Sequence, residues 1–160
     1  MNVFEPTLEM INIEDIAHGL SNQCRFAGQL PKFYSVGQHS VMCSMYDEFP
    51  TIKVKLQALL HDAPEAYLMD IPTPIKRHLN NYKELENNVM KVIAEKFNID
   101  YPFDGYVKWV DKDMLEWEWE YLMLQKQTSI KNFHCWDPTY AKTRFLEQYN
   151  KLTKRNLQSQ

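Results

Sequence analysis

The stretch YKELENNVMKVIAEKF, residues 82–97, decides the fold class. Leu85, Val89, Val92, Ile93 and Phe97 recur at intervals that place them on one face of an α-helix, whereas a strand would scatter them over both faces. The same period runs through DGYVKWVDKDMLEWEWEYLMLQ, residues 104–125, with Val107, Val110, Met114, Trp117 and Tyr121 on its stripe. Shorter helices fit residues 13–20, 36–47, 51–61 and 138–150. Pro31, Pro50, Pro64, Pro72, Pro74, Pro102 and Pro138 mark the breaks between them. Only four glycines occur, and no Asn-Gly or Asp-Gly pair signals a hairpin. The expected fold is all-α, a compact single-domain bundle of about six to eight helices. Residues 1–150 form that domain, and the polar stretch 151–160 is expected to fray.

The bulk properties narrow the partners. A net charge of −3 and a pI near 5.9 supply no basic field for long nucleic acid, although a local basic pocket remains open. Cys24, Cys43 and Cys135 are odd in number and contain no CxxC pair, which argues against a disulfide framework and a cysteine-rich zinc site. The opening MNVFEPTLEM lacks the basic and apolar regions of a signal peptide, and no apolar run is long enough for a bilayer. The expected setting is the cytoplasm, without a membrane partner.

Against this ordinary background, several ionisable residues lie on the apolar stripes. His39 falls between Val36 and Cys43, His61 follows Val54 and Ala58, and Asp111 lies between Val107 and Met114. A carboxylate on such a stripe loses several kcal/mol of hydration unless a cation or hydrogen bonds compensate. His61 and its neighbour Asp62 would diverge by about 100° in a continuing helix. Pro64 disfavours helical geometry at Ala63, so the helix is expected to end there and a new turn to begin, from which Glu65 projects. Two histidines and two aspartates suit a divalent metal. The residues alone leave a second account equally open, in which the histidines make core hydrogen bonds and Asp62 caps a helix. Cys43 reads as a small core residue, and His18 and His134 as ordinary polar side chains.

Three segments, YSVGQHSV (34–41), ALLHDAPEAYLMDIPTPIK (58–76) and VKWVDKDMLEWE (107–118), together resemble the HD-domain phosphohydrolases. Within that superfamily the chain is most similar to small bacterial 5′-deoxynucleotidases and phage dATP triphosphohydrolases. The arginine–aromatic pair in SNQCRFAGQLPKFYSVGQHS (21–40) extends the resemblance, which covers roughly residues 11 to 122. It implies a divalent metal (Zn, Co, Mn, Mg or Ni) on His39, His61, Asp62 and Asp111. It further implies catalytic roles for Glu65 and Asp70, phosphate contacts from Arg25, Lys76 and Lys108, and a nucleoside contact from Phe26, where related proteins often carry tryptophan. Ala66 stands where alarmone hydrolases of this superfamily carry a second acid, and the Gly-Tyr-Pro signature of its cyclic-dinucleotide phosphodiesterases is absent.

The implied activity is hydrolysis at the 5′ phosphoester of a deoxynucleotide. dATP, dADP or dAMP leads, and a broad 5′-deoxynucleotidase acting on dNMPs follows. A metal-dependent nucleotide-binding or sensor protein is the non-enzymatic alternative. The implied setting is the cytoplasm, that of the host if a phage encodes the chain. A homo-oligomer is expected, with Trp117 and Trp119 as candidate interface residues.

Overall fold

The computed structural model of the chain describes residues 2–125 and 133–158. The fold is all-α. No strand occurs among the described residues, and an isolated antiparallel bridge joins Cys24 to Ser35. Short polar caps set the start of the first helices by accepting backbone N–H groups that have no partner within the helix. Asn12 caps α1 (Ile13–Asn22), Ser35 caps α2 (Val36–Ser44) and Thr51 caps α3 (Ile52–Leu60). Two one-turn helices follow, α4 (Glu65–Leu68) and α5 (Thr73–Lys76). α6 (Tyr82–Phe97) coincides with the stretch whose periodicity announces the fold. Its buried residues include Val89 and Ile93, as the stripe predicts.

α7 (Gly105–Glu118) starts at the Asp104 cap and differs from the single long helix expected over 104–125. After Glu118 the backbone widens into a π turn over Trp119–Met123, where the Leu124 N–H bonds back to the Trp119 carbonyl five residues earlier. α8 (Pro138–Gln158) corrects a second expectation. The stretch after residue 150 continues the helix to Gln158, because Leu152 is 2 % exposed and belongs to the main core with Phe145. α8 packs against α1, α2 and α3, and α7 packs against α2 and α3. Gln38 ties the chain into α8 to α2, donating to the His134 carbonyl and accepting from the Trp136 N–H.

The join between α3 and α4 positions the polar residues. The Ala63, Glu65 and Ala66 N–H groups bond to carbonyls three residues back, so the helix tightens as it meets Pro64. This turn lets His61 and Asp62 face one point, which adjacent residues of a straight α-helix do not. Beyond α4 the backbone is left-handed at Met69 (φ 76°). A non-glycine residue adopts that conformation only when its surroundings enforce it. Here Tyr82 donates to the Met69 carbonyl, and the Gln23 side chain bridges the Glu65 carbonyl and the Asp70 N–H. No helix among the described residues is long and apolar enough to cross a membrane.

Candidate metal and catalytic site

His39 on α2, His61 and Asp62 at the end of α3, and Asp111 on α7 converge. His39 Nε2 lies 3.3 Å from Asp111 Oδ1 and 3.8 Å from Asp62 Oδ2. His61 Nε2 lies 3.3 Å from Asp62 Oδ2 and 3.6 Å from Asp111 Oδ1. Nitrogen and oxygen ligands of one tetrahedral ion sit about 3.3 Å apart when their bonds are near 2.0–2.1 Å. The ring centroids of the two histidines are 5.3 Å apart.

Hydrogen bonds on the far side of each ring fix which nitrogen faces this point. His61 Nδ1 is 2.8 Å from the Ala58 carbonyl, which can only accept, so the proton sits on Nδ1. In the neutral ring Nε2 then carries the lone pair, and it is buried without a hydrogen-bond partner. His39 Nδ1 meets Glu118 Oε1 at 2.6 Å, which fixes the same tautomer. Both imidazoles therefore direct Nε2 at two carboxylates, the arrangement in which outer hydrogen bonds orient metal-ligating histidines.

Electrostatics express the same requirement for a central cation. Burial opposes charge on His61, yet Asp62 and Asp111 outweigh it and raise its pKa to about 10. Burial and Arg25 oppose charge on His39, while Cys43, Glu118 and Asp111 push its pKa well above the imidazole value. Burial would raise the Asp111 pKa, but His39 and His61 hold it well below the usual carboxylate range. The Asp62 side chain points at these groups and at Arg25 Nη1 (3.7 Å), and no side-chain cap is made at the start of α4. The helix-cap account of Asp62 is thereby set aside.

His39, Cys43 and His61 form a group that could hold a metal ion, with ligand atoms all within 4.8 Å of one another. They make a buried floor. Asp62 and Asp111 form the rim, with side chains 19 % and 46 % exposed. The open side therefore lies where the carboxylates are.

The remaining expected residues surround this centre unequally. Glu65 is buried, with one oxygen 2.9 Å from Lys76 Nζ and the other without a hydrogen-bond partner. Burial, reinforced by Asp62 and Asp70, raises its pKa to about 8 against the pull of Lys76. Burial and Asp62 likewise raise the pKa of Asp70, with Arg25 and Lys76 opposing. Lys76 is shared between Glu65 and Glu86, the latter at 2.7 Å. Arg25 places Nε and Nη2 on Glu118 Oε2 at 3.0 and 2.9 Å. Phe26 packs against the exposed Trp119 at 6.1 Å between ring centroids, with the Arg25 guanidinium 5.6 Å from its ring. Lys108 is exposed on α7 and makes no ion pair among the described residues.

Glu118 is the residue that sequence reasoning missed. It is fully buried and accepts hydrogen bonds from Arg25, Tyr34 and His39. Burial disfavours its charge, but His39, Arg25 and Tyr34 more than compensate and lower its pKa. Glu86 and Gln23 were missed as well, and they hold Lys76 and the 65–70 segment in place.

No established family profile matches the sequence. The chain is 39 % identical over 155 residues to the uncharacterized protein YfdR of Escherichia coli strain K12, covering 90 % of this chain and 85 % of that protein. It is 37 % identical over 106 residues to an uncharacterized protein of Rhodobacter capsulatus, covering 62 % of this chain and 54 % of the relative.

Proposed function

The chain belongs to the family of Escherichia coli YfdR, and from that premise we propose that it is an HD-type, metal-dependent phosphohydrolase acting on deoxynucleotides. The observation that carries the proposal is the convergence of His39, His61, Asp62 and Asp111, with both Nε2 lone pairs aimed at the carboxylates and that of His61 left unpartnered. These donors suit a divalent ion such as zinc, cobalt, manganese, nickel or magnesium. Bound there, such an ion supplies acidified water and a polarised phosphoryl oxygen.

The chain's own residues supply the rest. The free Glu65 oxygen is placed to accept a proton, and Lys76 fixes the other oxygen so that the carboxyl cannot rotate away. Asp70, held at its N–H by Gln23, is the second acid and serves the leaving group. Arg25 offers Nη1 beside Asp62 as the group that meets phosphate charge, its other nitrogens being fixed on Glu118. Lys76 extends this positive edge. Lys108 is a peripheral contact on the exposed face of α7. Phe26 and Trp119 offer an aromatic surface for the base. The preferred substrate is a deoxyadenine nucleotide, dATP included, and a broader action on dNMPs is the close alternative.

The test is product analysis with dATP and dAMP side by side, in metal-loaded protein and in Asp111→Ala. Deoxyadenosine is expected from the loaded enzyme, and Asp111→Ala should lose metal binding and turnover together. Triphosphate release from dATP identifies a triphosphohydrolase. Turnover that survives in metal-depleted Asp111→Ala overturns the mechanism, and nucleotide binding without any release converts the reading to a sensor.

A further inference from the structure

We propose that Glu86 is a positioning residue for the hydrolysis: it keeps the Lys76 ammonium on Glu65 when phosphate arrives, so that Lys76 serves the acid rather than the substrate. The proposal rests on the phosphohydrolase reading, in which Glu65 accepts a proton. The placement begins in α6, where Tyr82 and Glu86 stand one helical turn apart and so share a face. Lys76, the last residue of α5, lies between that face and Glu65 of α4. Its Nζ is 2.7 Å from Glu86 Oε1, 2.9 Å from Glu65 Oε1 and 5.5 Å from the centroid of the Tyr82 ring. The Tyr82 hydroxyl donates to the Met69 carbonyl, which fixes the ring where the ammonium meets it.

An ammonium has three N–H groups to offer. Two meet carboxylates here, and the aromatic face of Tyr82 attracts the charge from a further side. With Glu65 as its single anchor, the flexible stem of the lysine would let the ammonium swing to an incoming phosphate. A second carboxylate opposes that movement, and Glu86 is the closer of the two. Exposed ion pairs hold little, but these side chains are only 7 % exposed for Glu65, 22 % for Lys76 and 27 % for Glu86. Burial opposes charge on Lys76, yet the two glutamates raise its pKa above the ordinary lysine value. Its charge thus stays at the edge of the site. The hydrogen bonds to phosphate fall instead to Arg25, whose Nη1 is not fixed on Glu118. Glu65 meanwhile keeps one oxygen held and the other unpartnered.

The experiment is steady-state kinetics on dATP and dAMP with the metal-loaded full chain, as wild type, Glu86→Gln, Lys76→Met and the double variant. Glu86→Gln should lower kcat about tenfold with KM level or lower, because the released ammonium turns to phosphate and Glu65 loses its fixed position. Lys76→Met should lower kcat at least about tenfold with KM within about twofold. Adding Glu86→Gln to Lys76→Met should change nothing further, since Glu86 acts through the lysine. Glu86→Asp keeps the charge and should recover part of kcat. Lys76→Met with raised KM at unchanged kcat makes Lys76 a phosphate ligand and overturns the proposal. Wild-type kcat in Glu86→Gln, or losses that multiply in the double variant, overturn it as well. Each of these results leaves the hydrolase reading standing, whereas a wild-type chain that releases deoxyadenosine from neither nucleotide overturns both.

Discussion

Glu118 carries the most interactions of any single carboxylate around the site. Three donors from separate parts of the chain meet on it: the Arg25 guanidinium, the Tyr34 hydroxyl and His39 Nδ1. Glu118→Gln preserves its shape and removes its charge. The amide nitrogen then faces a donor, and the buried Arg25 loses its counter-ion. Metal affinity should fall about 10–100-fold, as for other outer partners of ligating histidines. Stability should drop by roughly 1.5–3 kcal/mol, the range for hydrogen bonds to charged groups. Chelator competition and urea denaturation measure the two effects, and unchanged zinc affinity would contradict the orienting role. The sequence contained a signal for this residue. Glu118 lies four after Met114 and seven after Asp111, on the same apolar stripe that singled out Asp111. Its partner Arg25 is 93 residues away, and no local pattern reveals that pairing.

At the level of elements, periodicity located α6 with its bounds because a half-buried helix must repeat its apolar residues at its own pitch. It misjudged α8 because the tail TKRNLQSQ is polar, and the apolar residue that anchors the last turns, Leu152, stands just ahead of it. Leu152→Ala should therefore destabilise the protein by about 2–5 kcal/mol, the cost of a cavity in a closed core, with the midpoint of denaturation as the measurement. A frayed tail would show no effect. Pro64 announces the turn that becomes α4, whereas α5 lay below the reach of pattern reading, since one turn offers no period to detect. Their placement depends on tertiary bonds, chiefly the Gln23 bridge across 65–70 and Tyr82 on Met69. Gln23→Ala should lower kcat at least about tenfold while leaving zinc affinity within twofold, because it loosens Glu65 and Asp70 but touches no ligand. Parallel loss of metal would count against that division.

For the whole molecule, the site is a concentration of charge within a protein of net charge −3. In metal-free protein the two histidines must serve as the missing cation. His61 has its pKa raised to about 10 from an ordinary 6.5, so its stabilising contribution is complete below pH 6.5 and disappears as pH rises through 10. Glu65, raised to about 8, acts in the same direction, because its folded-state proton is lost over that range. The metal-free protein should thus melt at lower temperature at pH 9 than at pH 6, and saturating zinc should remove most of that slope by stabilising the native state. A metal-free Tm that is level or rising over that range would contradict this balance. Apolar surface on α7 and its extension, including Trp109, Leu115 and Trp119, is where the expected self-association would be sought.

The Tyr34 hydroxyl and the His39 ring share one oxygen of Glu118, so the order of the 23–35 segment is linked to the orientation of a metal ligand. Tightening at one end is felt at the other. Phe26 and Ala27, at φ 54° and 49°, hold a left-handed backbone that costs about 1–2 kcal/mol per residue and needs support from what surrounds it. Filling the centre therefore supplies part of that support, and amide hydrogen exchange across this segment should slow when the ion enters, well before any nucleotide is added.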